Sequence, residues 1–136
     1  MNGLDLISVT IEMKYVLFGI CILVLIILAY AYYYAMDSPY RISSDKAKQL
    51  IRNHKIDLIL DVRTNLERKT LGFYPDSVHI PTSELSRMRH EYPDKNIRIL
   101  AYCNSGQRAR AATEKLHSLG YVNAVYIVGT YRSLMD

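Results

Sequence analysis

The stretch "IRILAYCNSGQRARAATEKLHSLG", residues 97–120, joins an apolar strand, a short polar loop and an amphipathic helix. Residues 97–102 have the length and the apolar character of a buried strand. After the loop, small and apolar residues recur on one side of a helix, and a glycine suits its end: Ala109, Ala112, Leu116, Leu119 and Gly120. A strand that runs through a short loop straight into a helix is typical of parallel α/β proteins.

Elements of the same kinds flank this stretch. Two further apolar runs predict strands, over residues 57–62 and 123–128. Two segments predict helices: residues 44–53 with Ser44 as the cap, and residues 82–92 with Thr82 or Ser83 as the cap. Residues 63–81 are rich in turn-forming residues and are predicted to be irregular. The alternation predicts a parallel α/β sheet that is covered on both faces by helices.

A long apolar segment precedes this domain. Residues 15–36 contain no charged residue and no histidine. As a helix they would span about 33 Å, enough for the roughly 30 Å core of a bilayer. The alternative is a signal peptide cleaved near Ala31, but Asp5 and Glu12 lie where such peptides carry positive charge. We predict a tail over residues 1–14, a transmembrane helix over 15–36, a linker over 37–44 and a domain over 45–136.

The charge distribution bears on location and partners. In residues 37–136, basic residues outnumber acidic ones by 16 to 11. Four basic residues lie close to the end of the apolar segment: Arg41, Lys46, Lys48 and Arg52. The positive-inside rule therefore predicts a single-pass membrane protein whose domain faces the cytosol. The basic residues are scattered among acidic ones, so we expect no nucleic-acid partner.

The chain has two cysteines, which cannot form a disulfide framework and give no sign of an oxidising compartment. Cys21 lies in the apolar segment, whereas Cys103 lies at the end of a strand and before a helix. Inward-facing amides of the loop, the helix N-terminus and nearby Arg108 and Arg110 would favour the thiolate there. Gly106 gives this loop conformational freedom. The alternative is that Cys103 is a buried, inert thiol.

Four motifs in order resemble the hallmarks of the rhodanese domain family. "DVRTNLE" (61–67) is similar to the Asp-Val-Arg strand end, and "GFYPDSVHIP" (72–81) to the second hallmark of the family. "YCNSGQRA" (102–109) resembles its active-site loop, and "LGYVNAVYIVGT" (119–130) resembles the segment that normally ends in Gly-Gly. The resemblance covers residues 41–136 and implies a rhodanese-like parallel sheet flanked by helices.

The resemblance also implies a sulfurtransferase, in which Cys103 attacks a sulfane sulfur, for example of thiosulfate, and holds it as a persulfide. The acceptor that the resemblance implies is cyanide or a thiol, either of a small molecule or of a protein. The resemblance assigns substrate binding to the loop residues Asn104, Ser105, Gly106, Gln107 and Arg108. Arg108 would bind the anionic donor. The resemblance assigns structural roles near the site to Asp61, Arg63 and Glu67. We expect no cofactor and no metal, because the four histidines are dispersed: His54, His79, His90 and His117.

The sequence departs from the family pattern at several positions. Phe73 replaces a histidine, Asp76 replaces a glycine, and Thr130 stands where the second glycine of the pair normally lies. The chain also ends at Asp136, so the last helix of the family is expected to be short or missing. These departures concern access to the site and the rate of turnover, and they leave the predicted fold unchanged.

Two other functions fit the sequence. Some tyrosine and dual-specificity phosphatases use a related fold and a loop with five residues between Cys and Arg. Here four residues separate Cys103 from Arg108, which gives a smaller ring that suits one sulfur better than a phosphoryl group. A non-catalytic rhodanese module that serves as a membrane-tethered interaction domain is the second alternative. Such modules often lack the cysteine, which this chain retains.

Overall fold

The computed structural model describes residues 2–136, which divide into two compact units between Tyr33 and Tyr34. Helix α1, Gly3–Met36, makes up nearly all of the first unit and begins well before the apolar segment 15–36. Its 34 residues extend about 50 Å. Within residues 2–136, α1 is the one helix that is long and apolar enough to cross a membrane.

The second unit contains a four-stranded sheet. Its strands are β1 (Leu58–Asp61), β2 (Val78–His79), β3 (Ile99–Tyr102) and β4 (Ala124–Tyr126). They lie in the order β2-β1-β3-β4, and every neighbouring pair is parallel. The predicted parallel α/β sheet is therefore confirmed. The third predicted strand is shorter than its apolar run of residues 123–128.

Helices cover both faces of this sheet and bury the central strand completely. Helix α5 (Gln107–Ser118) packs on one face, where Ile99 and Ala101 of β3 point. Helix α2 (Ser44–Arg52) packs on the other, where Leu100 and Tyr102 point. All four residues of β3 are buried, as expected for a central parallel strand. This arrangement places the C-terminal end of β3 between the two layers of helices.

The prediction that residues 63–81 are irregular was wrong. They contain helix α3, Asn65–Leu71, and the short edge strand β2. Thr64 and Glu67 form a capping box, in which each side chain bonds the backbone of the other residue. The sequence Thr-x-x-Glu is a known signal for a helix start, and it outweighed the turn-forming residues that follow.

Two predicted helix starts also differ from the structure. Ser43, not Ser44, caps α2, because its side chain accepts a hydrogen bond from the Lys46 N–H at 3.1 Å. Neither Thr82 nor Ser83 caps a helix: residues Thr82–Arg87 form a 3₁₀ turn, and only Met88–Glu91 are α-helical, as α4. Leu85 and Met88 both point into the core, and a spacing of three residues suits a 3₁₀ turn.

The segments after β4 and before α2 form only short elements. A single 3₁₀ turn, Tyr131–Leu134, follows β4 in place of a longer helix. At the other end, residues 37–44 were predicted to be a linker. Within them, the Tyr40 carbonyl accepts the Tyr126 N–H at 3.0 Å, and the Ile42 N–H donates to the Tyr126 carbonyl at 2.9 Å. Part of this segment thus continues the sheet beyond β4.

Candidate active site

The loop between β3 and α5 consists of residues Cys103–Gly106, which we call the cysteine loop. The Cys103 side chain is buried, with 1% of the residue exposed. The Gly106 N–H points back at the Cys103 Sγ, at an N to S distance of 3.0 Å. Gly106 has a φ of +98°, in the left-handed region that favours glycine, and it immediately precedes α5. The Cys103 Sγ thus lies beside a backbone donor and at the N-terminal end of a helix.

The first turn of α5 contains no acidic residue, so the start of this helix places no negative charge beside the cysteine loop. Ser105 donates a hydrogen bond from its hydroxyl to the Gln107 side-chain oxygen, which connects the loop to the first residue of the helix. Of the residues that the sequence assigned to substrate binding, Asn104, Ser105 and Gly106 lie in the cysteine loop, and Gln107 and Arg108 begin α5.

Arg108 is held by Glu67 of α3. The two guanidinium nitrogens donate to the two carboxylate oxygens, each at 2.7 Å. The Arg108 hydrogen bonds lower the pKa of Glu67 to about 2. Glu67 also accepts a hydrogen bond from the Asn104 side-chain amide at 2.6 Å, so it joins α3 to the cysteine loop. The sequence assigned Arg108 to an anionic donor, but in the structure the Glu67 carboxylate accepts hydrogen bonds from its two terminal nitrogens.

Asp61 and Arg63 form a buried ion pair below the loop. Both are almost fully buried, and Arg63 donates to Asp61 at 3.0 Å through Nε and at 2.8 Å through a terminal nitrogen. Burial by itself would raise the pKa of Asp61, but the hydrogen bonds and charge of Arg63 outweigh it, so the pKa lies below its usual range. Arg63 reaches the cysteine loop as well, because it donates to the Asn104 side-chain oxygen at 3.3 Å.

Tyr102 completes this buried network. Its hydroxyl donates to Asp61 at 3.0 Å and accepts the backbone N–H of Tyr74 at 3.1 Å. Burial is the main cause that raises the pKa of Tyr102 above its usual range, so the hydroxyl stays protonated and can donate. Arg68 of α3 adds a second cation to Asp61 at 3.2 Å. The end of β1, the end of β3 and helix α3 are thereby fixed to one another.

A cleft of about 480 Å³ opens beside the cysteine loop. Asn104 and Arg63 line it from the loop side, and Thr70 lines it from α3. Thr130 and Arg132 line it from the chain after β4. Arg132 is exposed, and within residues 2–136 no carboxylate lies within ion-pair distance of it. The cleft thus presents the charge of Arg132 and the hydroxyl groups of its threonine and tyrosine residues, which suits an anion.

Sequence reasoning missed part of this cleft. It identified Thr130 only as a departure from the family pattern, and it did not assign Thr70 or Arg132 to the site. No local signal marks either residue, because each reaches the cleft through the packing of its own element on the sheet. The dispersed histidines remain apart: among residues 2–136, no three His, Cys, Asp or Glu side chains lie close enough to hold a metal ion. His79 instead bonds the Arg63 carbonyl at 2.7 Å, and His117 bonds the Ala124 carbonyl at 2.8 Å.

Comparison with known proteins places these features in a family. Residues 43–133 match the rhodanese-like domain family. A rhodanese domain-containing protein of Drosophila melanogaster is 32% identical over 93 residues, which cover 60% of this chain and 84% of that protein. The thiosulfate sulfurtransferase/rhodanese-like domain-containing protein 3 of Mus musculus is 27% identical over 108 residues, which cover 71% of this chain and 68% of that protein.

A solved structure agrees with these sequence matches. The human single-domain sulfurtransferase TSTD1 superposes with a TM-score of 0.58 and is 26% identical in sequence. The match covers 71% of this chain and 95% of the human chain. The shared region therefore amounts to nearly the whole of a single-domain sulfurtransferase.

Proposed function

Because the chain belongs to the rhodanese-like domain family, we propose that it is a sulfurtransferase that carries sulfane sulfur as a persulfide on Cys103. The observation that carries this proposal is the contact between the Gly106 N–H and the Cys103 Sγ at 3.0 Å, at the start of α5. A thiolate is the nucleophile that sulfur transfer needs, and a backbone donor beside a helix N-terminus stabilises it.

The reaction proceeds in two displacements. In the first, the Cys103 thiolate attacks the outer sulfur of the donor, and a new S–S bond forms as the old one breaks. The departing group takes the bonding electron pair, as sulfite when thiosulfate is the donor. In the second, an acceptor thiolate attacks the outer sulfur of the persulfide and leaves with it, which regenerates the Cys103 thiolate. With cyanide as the acceptor, the product is thiocyanate.

The surrounding residues have distinct roles in this proposal. Arg108 and Glu67 hold the cysteine loop in place through their paired hydrogen bonds and the bond from Asn104. Arg132 receives the charged end of the donor in the adjoining cleft, because Arg108 is already engaged by a carboxylate. Asp61 and Arg63 support the base of the loop without taking part in the chemistry.

We further propose that residues 15–36 hold this activity at a membrane, with the domain on the cytosolic side. The length and composition of α1 support the first part, and the basic residues at positions 41–52 support the second. The acceptor would then be a soluble small thiol or a protein thiol that reaches the membrane surface from the cytosol.

Mass spectrometry of the persulfide tests the function directly. The full chain in detergent is incubated with thiosulfate, and we expect its mass to rise by one sulfur atom, with the addition on Cys103 and reversal by dithiothreitol. Cys103→Ser should abolish the gain. Cys21→Ser is the matched control, because it removes the second thiol of the chain and should leave the gain intact.

One observation favours a second function, a non-catalytic module that recruits partners. Cys103 is 1% exposed, and a buried cysteine is often inert. If thiosulfate and an organic persulfide both leave the mass of the folded chain unchanged, the module replaces the enzyme as the better proposal. A phosphatase would instead release phosphate from an aryl phosphate, and the short spacing between Cys103 and Arg108 argues against it.

A further inference from the structure

Residues 34–42 precede the region that matches the family, 43–133, yet they belong to the compact unit that holds the cysteine loop. Ala35 is fully buried. Tyr40 stacks on His117 of α5, with ring centroids 3.8 Å apart and planes 13° from parallel. Residues 34–42 therefore pack on the domain as a layer that lies outside the matched span.

Within that layer, Ala35 lies against Gly106 of the cysteine loop. A Cβ atom added to Gly106 would lie 3.2 Å from the Ala35 Cβ and 2.9 Å from a methyl carbon of Val128. Carbon atoms in ordinary contact are about 3.5–4.0 Å apart, so no further atom fits between these residues. Ala35 and Val128 thus cover the glycine whose N–H contacts the Cys103 Sγ.

The domain also holds the end of α1 by its carbonyl groups. The last carbonyls of a helix have no partner within the helix, and α1 has no basic residue in its last turn. Three residues of the second unit donate hydrogen bonds to three consecutive carbonyls. Arg110 bonds the Tyr34 carbonyl, the Tyr126 hydroxyl bonds the Ala35 carbonyl at 2.5 Å, and Arg41 bonds the Met36 carbonyl at 3.0 Å. Two of these donors are cations, which also suit the negative end of the helix.

Two side-chain contacts of Tyr34 also fix the last turn of α1. The Arg110 guanidinium lies over the Tyr34 ring, 4.0 Å from its centroid, and the Tyr34 hydroxyl donates to Glu114 at 3.3 Å. Arg110 in turn bonds Glu114 at 2.8 Å. Since Arg110 and Glu114 belong to α5, the helix that follows the cysteine loop also holds the residue before Ala35.

We propose that Ala35 is a positioning residue for the cysteine loop. The inference rests on the proposed role of Cys103 as the sulfur carrier. Ala35 keeps Gly106 in the left-handed conformation that directs its N–H at the Cys103 Sγ. A methyl side chain is the size that the contact accepts, because a larger one would displace Gly106 and rotate the N–H away from the sulfur.

The test uses the full chain in detergent micelles with Cys21→Ser, so that Cys103 is the one remaining thiol. Ala35→Leu is compared with Ala29→Leu, the same substitution at an exposed position of the same helix. We expect Ala35→Leu to raise the midpoint of the pH profile for Cys103 alkylation by iodoacetamide by about one unit, since the thiolate loses a hydrogen bond. Sulfur transfer from thiosulfate should fall at least tenfold, and Ala29→Leu should stay within twofold of the parent.

Tyr126→Phe keeps the inference testable if Ala35→Leu fails to fold. It removes only the hydroxyl that holds the Ala35 carbonyl, and we expect both readouts to change in the same direction by a smaller amount. Folding of each variant is checked by thermal unfolding. Folded variants with the alkylation midpoint and the sulfur transfer of the parent would overturn the role of Ala35 and leave the sulfurtransferase proposal standing.

Failure of the sulfurtransferase proposal alone would give a different result. If the parent takes up no sulfur but Ala35→Leu still shifts the alkylation midpoint, Ala35 positions the loop and the sulfurtransferase proposal fails. Because alkylation needs no sulfur donor, the two proposals are judged by separate measurements.

Discussion

Replacing Glu67 by glutamine removes the charge that holds Arg108 and leaves a side chain of nearly the same shape. In the parent, the two carboxylate oxygens accept hydrogen bonds from the two terminal nitrogens of Arg108, each at 2.7 Å, and from the Asn104 side-chain amide at 2.6 Å. The Thr64 backbone N–H of the capping box donates to the same carboxylate at 3.3 Å. Glutamine offers one acceptor oxygen, and its amide group would face other donors, so we expect Glu67→Gln to destabilise the fold.

The size of the effect follows from the pKa of this carboxyl group. It is about 2 in the folded chain against an ordinary value of 4.5, because of the hydrogen bonds from Arg108. At about 1.4 kcal/mol per unit, the difference would correspond to roughly 3 kcal/mol. The Arg108 side chain is 38% exposed and the Glu67 side chain 24%, so solvent screening reduces the value to about 1–2 kcal/mol. We therefore expect the melting temperature to fall by about 5–10 °C at pH 7.

The pH dependence separates this mechanism from a general loss of packing. Since the pKa of Glu67 is lowered on folding, its stabilisation is fully present above pH 4.5 and is lost as the pH falls towards 2. The gap in melting temperature between the parent and Glu67→Gln should therefore narrow between pH 7 and pH 3, as measured by circular dichroism of the full chain in detergent. Glu91→Gln is the control, because it breaks the exposed pair with Arg87 and should change the melting temperature little. A gap that stays constant down to pH 3 would refute the reasoning.

Three further predictions address the cleft, the buried network and the long helix. Arg132→Gln should raise the KM for thiosulfate about fivefold with little change in kcat, because an exposed charge contact worth about 1 kcal/mol is lost. An unchanged KM in steady-state kinetics would exclude Arg132 from donor binding. Tyr102→Phe should lower the melting temperature by about 5–10 °C, because Asp61 loses a donor and the Tyr74 N–H loses its acceptor, whereas an unaltered melting curve would contradict that account. The full chain should stay with the membrane pellet after a carbonate wash at high pH, and recovery of a shortened, released product would point to cleavage of the apolar segment instead.

The fold was predictable because its signals are local. The apolar runs that form β1 and β3 and the helical stripe of α5 each lie within a few residues of sequence, and burial of one side follows from their period. The error over residues 63–81 was of another kind. The Thr-x-x-Glu pattern of the capping box was visible in the sequence, but the turn-forming residues that follow it, such as Gly72, favour an irregular segment.

The position of the cysteine loop followed from the sequence, but its pairings did not. The loop residues are adjacent in sequence, so the strand and the helix on either side suffice to locate them. Glu67 and Arg108 are 41 residues apart, and whether a guanidinium binds a substrate or a carboxylate depends on how α3 packs beside the loop. The same holds for Arg132, which reaches the cleft because the chain after β4 folds back towards Asn104.

The end of α1 shows why a family match and a folded unit can begin at different residues. The family match starts at residue 43, whereas the carbonyls of residues 34–36 must find donors wherever the helix stops. Arg110 and Tyr126 supply two of those donors from elements inside the match. A helix end fixed in this way cannot be removed without leaving buried groups unpaired. A soluble form of the domain should therefore begin at Tyr34, not at Asp37, if the cysteine loop is to keep its geometry.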